Sequence, residues 1–456
     1  MIPAKSKYQK RSAFALIVSM IFVLVFSALA VAMFSTSSAN MEIADNQHKA
    51  NIAFTNAESG LDVMRFWLNR IKMPSSTPVA SYFKTIVADL RADLIDNSIS
   101  NLPLKHDGAI PPVQLESENP GTFSVQMIID AFTPTVLQLY VTGTYDEVSR
   151  TIRVDYDIAP YRYPIFNYGL ATRGPLRFPG NPTLIGANSA WEADVYIESS
   201  EASVALFVNG NTNFDGDINI SNPAATADFV GDVLIAGDHG ETAIANHVFT
   251  GVDAPEFPIP DTDRFRTYAT GDVISAATYT KGMTIVNGYI PAGTNPTFAG
   301  SVIVKGILFI EQPNIVTFGS NLQLQGMIVA DGDIEAPGTN AMSVIGNFGT
   351  APYPADPAFD AIRHEIGSSI IAPGFSAFFS GNYSTIEGVV AVSGVHFAGN
   401  ANAIIKGTVI NYSNVPAVVE GNATMTFDRS ASPSIPAGFD THRILDYIPS
   451  SYSVVH

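Results

Sequence analysis

The sequence predicts a mainly β protein with a long N-terminal transmembrane α-helix, a small α+β segment, and then a parallel β-helix, or solenoid. Three observations predict this. An uncharged apolar run from Ala13 to Phe34 passes into an amphipathic helical pattern without a break. Apolar and polar residues alternate in three runs between Phe123 and Tyr156. Beyond Tyr161, short β-prone runs bounded by glycine recur about every 20 residues.

The N-terminal elements come first. Lys5, Lys7, Lys10 and Arg11 precede the apolar run, and Glu42 and Asp45 are the first acids after it. Basic before and acidic after predicts a cytoplasmic N-terminus with the bulk of the chain outside, in a single membrane pass. A cleaved signal peptide ending near Ala28-Leu29-Ala30 is the other reading, but the helical pattern runs straight through that point. Phe54, Ala57, Leu61, Met64, Leu68 and Ile71 form one stripe at alternating spacings of three and four. Only Gly60 softens the pattern before Pro74 ends it. The result is one helix of about 80–90 Å.

These residues carry a resemblance. Basic residues, then Ser12-Ala13-Phe14, then the apolar run, then Ala53-Phe54-Thr55-Asn56-Ala57-Glu58-Ser59-Gly60, resemble the type IV pilin and pseudopilin class, and within it the PilX-like or general-secretion K-type minor subunits. The resemblance covers residues 1 to about 72. It implies cleavage by a prepilin peptidase between Ala13 and Phe14 and packing with other subunits through Val18, Phe54, Ala57, Glu58 and Leu61. Ala13 stands where the class usually has Gly. Val18 stands where major pilins carry the Glu that neutralises a neighbour's terminal amine in an apolar bundle. A subunit lacking that acid is expected first in the filament, at the tip, displaying its β domain for assembly or adhesion.

The remaining boundaries follow from texture. Residues 1–13 read as a basic leader, 14–73 as the long helix with its membrane span at 14–34, and 75–160 as an α+β, pilin-like segment. Within that segment residues 78–96 form a second helix, a connector holds Pro111-Pro112, and a three-strand meander follows. Residues 161–440 read as the β-helix and 441–456 as a C-terminal tail. If Gly381 to Gly388 and Gly399 to Gly407 are successive coils, Ile404, Ile405, Val409 and Ile410 stack over Ile386, Val389, Val390 and Val392. Two Pro-rich interruptions, His247 to Ser275 and Phe348 to Glu365, read as insertions between coils and as binding surfaces.

Composition narrows the function. The chain has 456 residues, only 14 % of them charged, with a formal net charge of −18. Such an acidic chain is not expected to bind nucleic acid. It has no cysteine, hence no disulfide or zinc-thiolate chemistry. No Lys or Arg occurs between Arg177 and Arg264, and the paired acids Asp215/Asp217 and Asp331/Asp333 each flank one glycine, so polar turns are expected there and no catalytic centre. Asn211-x-Asn213-x-Asp215-Gly216-Asp217 partly matches a calcium loop, but Asn222 stands where the bidentate Glu belongs. It reads first as an Asn-rich turn, with Ca2+ as the only cofactor considered. His396 reads as a wall residue, and Trp67 and Trp191 as packing. The expected partners are the membrane, other subunits, the peptidase and a surface or polysaccharide ligand. The competing function is a permanently anchored carbohydrate-binding or carbohydrate-active β-helix.

Overall fold

The computed structural model describes residues 11–115, 121–200, 203–335, 338–398, 402–421, 424–430, 432–433 and 435–455. The chain forms two units: one combines the chain up to Ala159 with the segment from His442 onward, and the other is Pro160–Thr441.

In the first unit α1 (Arg11–Leu68) is one helix. No proline falls within it, so its hydrogen-bond ladder is unbroken. The stripe on its second half buries Ala57, Leu61, Met64 and Leu68. After a two-residue strand, β1 (Met73–Pro74), comes α2 (Tyr82–Asp96), which buries Tyr82, Ile86, Val87, Leu90 and Leu94, the positions picked out by helical spacing. Four antiparallel strands follow: β2 (Ala109–Gln114), β3 (Thr122–Ile129), β4 (Val136–Tyr145) and β5 (Val148–Pro160). The alternating residues Phe123, Val125, Met127, Leu137, Leu139, Val141, Ile152, Val154 and Tyr156 all enter the core.

Two expectations change here. The Pro111-Pro112 connector is an edge strand, β2, whose register slips between Ile110 and Val113, where the prolines supply no N–H. The expected tail is a 14-residue strand, His442–Val455, which lies between β1 and β5 in the sheet. Only Leu445 of that strand is fully buried, so its sequence has no period-two signal to read. The whole second unit is therefore inserted between two neighbouring strands of the first unit's sheet.

The second unit is a parallel solenoid with three walls per coil. Leu170–Thr172, Leu176–Pro179 and Thr183–Gly186 give one strand to each wall, and the next coils repeat the order at Val195–Ile197, Val204–Asn209 and Thr212–Phe214, then Ile218–Ile220, Thr226–Val230 and Val233–Ile235. These stack in parallel register. The expected stack forms in part: Ile386 lies beside Ile405 and Val390 beside Val409, but Ile404 pairs with Thr385 and is exposed, and Ile410 pairs with Ala391.

The stack is not built in chain order. The chain enters in the middle, climbs to Val248–Thr250, and crosses outside the coils. It resumes at Thr278–Tyr279 and stacks coil by coil back to Thr424–Phe427. That last coil pairs with the first: Val409 with Leu170, Ala417 with Leu176, Thr424 with Thr183. One glycine column crosses this seam. Gly421 on the last coil bridges Gly180 on the first, and Gly421, Gly180, Gly210 and Gly231 all have positive φ; a Cβ on Gly210 would lie 1.8 Å from the Gly180 carbonyl oxygen. Inside the second wall the rings of Phe298 and Phe318 stack at 5.2 Å and those of Phe379 and Phe397 at 5.0 Å, one strand spacing apart.

The two interruptions are corrected as well. Each begins with a coil strand, Val248–Thr250 in the first wall and Phe348–Thr350 in the third; beyond those strands His247 to Ser275 contains the crossing segment, and both stretches pack on the outer surface of the first wall. Phe257 packs with Tyr196, Ile410 and Tyr412, while Phe265, Phe359 and Ile362 pack on Phe309, Met327, Val329 and Ile371. That wall is buried on both faces, which is why its strands read as unbroken apolar runs such as Ile307-Leu308-Phe309-Ile310. The same packing takes Phe257, Phe265, Phe359 and Ile362 off the surface, while Ile259 and Val273 of the first interruption stay exposed.

Candidate membrane and filament interface

The candidate site is the surface of α1, which has two regimes. From Phe14 to Phe34 no charged residue occurs, and the large apolar side chains lie open, Phe14 at 72 % and Phe34 at 78 % exposure. The helix is long and apolar enough to cross a membrane. Val18 lies in this bare part, where the helix carries no carboxylate. Ala13 is within the helix, while the leader up to Lys10 falls outside the described residues.

The second half is committed to the unit's own head. Ala57 and Leu61, expected to face other subunits, are buried in the core, and Phe54 is half-buried against it. The physical reason is close approach. Gly143 on β4 sits where a Cβ would lie 2.0 Å from the Ala53 carbonyl oxygen, and one on Gly60 would lie 2.6 Å from the Phe123 ring. The Asn56 amide, buried beside them, donates to the Thr144 carbonyl at 3.2 Å. Glu58 is exposed but accepts a 2.5 Å hydrogen bond from the Tyr452 hydroxyl of the C-terminal strand. Lys49 bridges Asp45 one turn below and Asp146 in the β4–β5 turn, at 3.0 and 2.8 Å. Tyr452 and Asp146 were missed by sequence reasoning because neither is near the helix in the chain.

The solenoid residues singled out from sequence are held in the wall. Thr212–Phe214 is a strand, so Asn211, Asn213, Asp215 and Asp217 do not wrap around a common point. Asn211 receives the Asp232 N–H on its side chain and donates its own N–H to Asn181. Asp215 accepts from the Gly186 N–H, and Asp217 pairs with His247 at 2.8 Å. Among the described residues no three His, Asp or Glu side chains form a group able to hold a metal ion. Asp194 accepts the Asp217 N–H, and burial pushes its pKa up to about 6. Asp333 receives the Glu335 N–H in a turn, and His396 faces Glu420 at 3.1 Å. Trp191 is half-exposed under the Arg429 guanidinium, 4.5 Å from the ring centre.

The comparisons bear on α1. Residues 14–62 match the PilX N-terminal family. This PilX-type segment takes in the bare span and the start of the buried stripe. Among curated proteins none matches this sequence. A solved structure, the competence-associated pilin ComZ from Thermus thermophilus, covers 90 % of this chain and 98 % of its own, at 12 % identity and a TM-score of 0.27. So low a score leaves the family match as the finding that weighs.

Proposed function

We propose that this protein is a minor pilin or pseudopilin of a type IV pilus or related secretion filament. The carrying observation is a PilX-type segment on a helix whose first half is bare and uncharged while its second half is filled by its own head. A bare helix needs lipid before assembly and neighbouring helices after it. On this reading the chain sits in the inner membrane, the peptidase cuts before Phe14, and the bulk of the chain is extracytoplasmic. Val18 supplies no carboxylate for a neighbour's terminal amine, which favours the first position at the filament tip. The solenoid is then displayed for assembly or adhesion, a structural role and not a catalytic one.

The test is the N-terminal residue and mass of the protein recovered from its native membrane. A methylated Phe14 is the expected result. An intact Met1 would overturn the filament reading and leave a plain anchor.

A further inference from the structure

On the third wall of the solenoid, at the corner leading into it, the structure opens a groove of about 540 Å³. Asn321, Asn347 and Asn382 occupy one corner on successive coils. The Asn347 N–H donates to Asn321 Oδ1, and Asn382 Nδ2 donates to Asn347 Oδ1. This ladder leaves Nδ2 of Asn321 and of Asn347, Oδ1 of Asn382 and the whole exposed Gln323 amide without a protein partner among the described residues. Gln323 pairs across the wall with Gly349, which has no side chain to fill the groove floor. A Cβ at Gly349 would lie 2.1 Å from Ser384 Oγ.

The lining has no charged group. Its one titratable side chain, Tyr383, donates its hydroxyl to the Ala398 carbonyl inside the protein. An anionic ligand would find no cation to pair with, and a cation no carboxylate. What the groove offers is neutral donors and acceptors repeated at the strand spacing of about 4.8 Å. A linear hexopyranose chain advances by nearly one such spacing per sugar and presents neutral hydroxyls at each step.

We propose that this groove binds a neutral linear glycan laid along the stacking axis, with the Asn321–Asn347–Asn382 corner and Gln323 reading its hydroxyls. The proposal deepens the adhesive part of the reading above and rests on that part alone.

The experiment is calorimetric titration of the full-length protein in detergent with the hexamers of β-1,4-linked glucose and β-1,4-linked N-acetylglucosamine, and with an acidic oligogalacturonate of equal length. Saturable binding of at least one neutral hexamer and none of the acidic one is expected. Gln323→Ala and Asn382→Ala should each weaken it about fivefold, the loss of one neutral hydrogen bond. Lys281→Ala, at an exposed position outside the groove, should leave it unchanged. Gln323 is exposed, so its variant also tests the groove should Asn382→Ala fail to fold. Failure of both neutral hexamers to bind, preference for the acidic one, or binding indifferent to Gln323→Ala overturns the proposal. The N-terminal mass reports separately on the filament reading: an intact Met1 with glycan binding removes only that reading, and a methylated Phe14 without binding removes only this one.

Discussion

At the scale of single residues, two glycines set how closely the head sits on α1. An Ala at Gly60 meets Cβ, Cγ and Cδ2 of buried Phe123, a side chain and not backbone, and it gains about 1 kcal/mol of helix propensity, so Gly60→Ala should cost about 2 kcal/mol. An Ala at Gly143 meets the helix backbone at Ala53 and Ala57, which cannot move without parting helix from sheet. Gly143→Ala should cost about 3 kcal/mol, and urea unfolding of the two variants checks the order. Asp194 predicts a pH dependence. Its folded pKa, about 6, lies above the ordinary carboxylate value, so the folded state binds the proton more tightly. Its stabilising contribution is complete below that ordinary value and is lost as pH rises through about 6. The protein should be more stable to urea at pH 5 than at pH 7, by ~1 kcal/mol after allowance for solvent screening. Asp194→Asn should flatten the difference. Glu192 and Asp428 are shifted the other way: burial pushes Glu192 up, but the several hydrogen bonds it accepts outweigh that, the Ser430 hydroxyl lowers Asp428, and their contribution is lost only at more acid pH.

At the scale of elements, the instructive cases are the crossing segment and the insertion. Arg264 on the crossing segment binds Glu365 of the insertion at 2.6 Å and Asp440 of the exit segment at 2.5 Å. One guanidinium thus fastens three stretches far apart in sequence over the first wall. Glu365 is 16 % exposed and Asp440 44 %, so losing the cation strands Glu365 more severely. Arg264→Ala should cost about 2 kcal/mol and speed proteolytic nicking within residues 251–277, while Asp440→Ala should do less on both measures. Periodicity placed α1, α2 and the meander because each buries one face against a core at its own period. It did not place β2 or the C-terminal strand, because prolines and exposed residues carry no such period. The solenoid coils were legible from glycine spacing, since a corner that stacks on a corner admits no side chain.

At the scale of the whole molecule, the seam of the solenoid explains how so long an insertion is accommodated. Because the last coil docks on the first, the chain leaves the stack where it entered, and the Tyr163 hydroxyl lies 2.7 Å from Thr441 Oγ1. An insertion with adjacent ends asks little of the two sheet strands it separates. Residues 160–441 expressed alone should therefore unfold in one cooperative transition by circular dichroism. Deleting residues 402–427 should not merely shorten the stack. It removes the coil that joins the two arms, leaving two open strand edges, and aggregation on gel filtration is expected.

By itself the sequence determined the membrane-length helix, the meander, the solenoid class and the PilX-type segment. Each of these is a local pattern: hydrophobic length, a period, or glycines at a fixed interval. Only the tertiary structure decided the order of the coils, the covered first wall, the commitment of Ala57 and Leu61 to the head, and the alignment of Asn321, Asn347 and Asn382 into one polar groove. Those depend on which residues distant in the chain become neighbours. Each coil offers nearly the same edge to any other, so the edges do not specify their order, and packing against the crossing segment and the closing of the seam select among them.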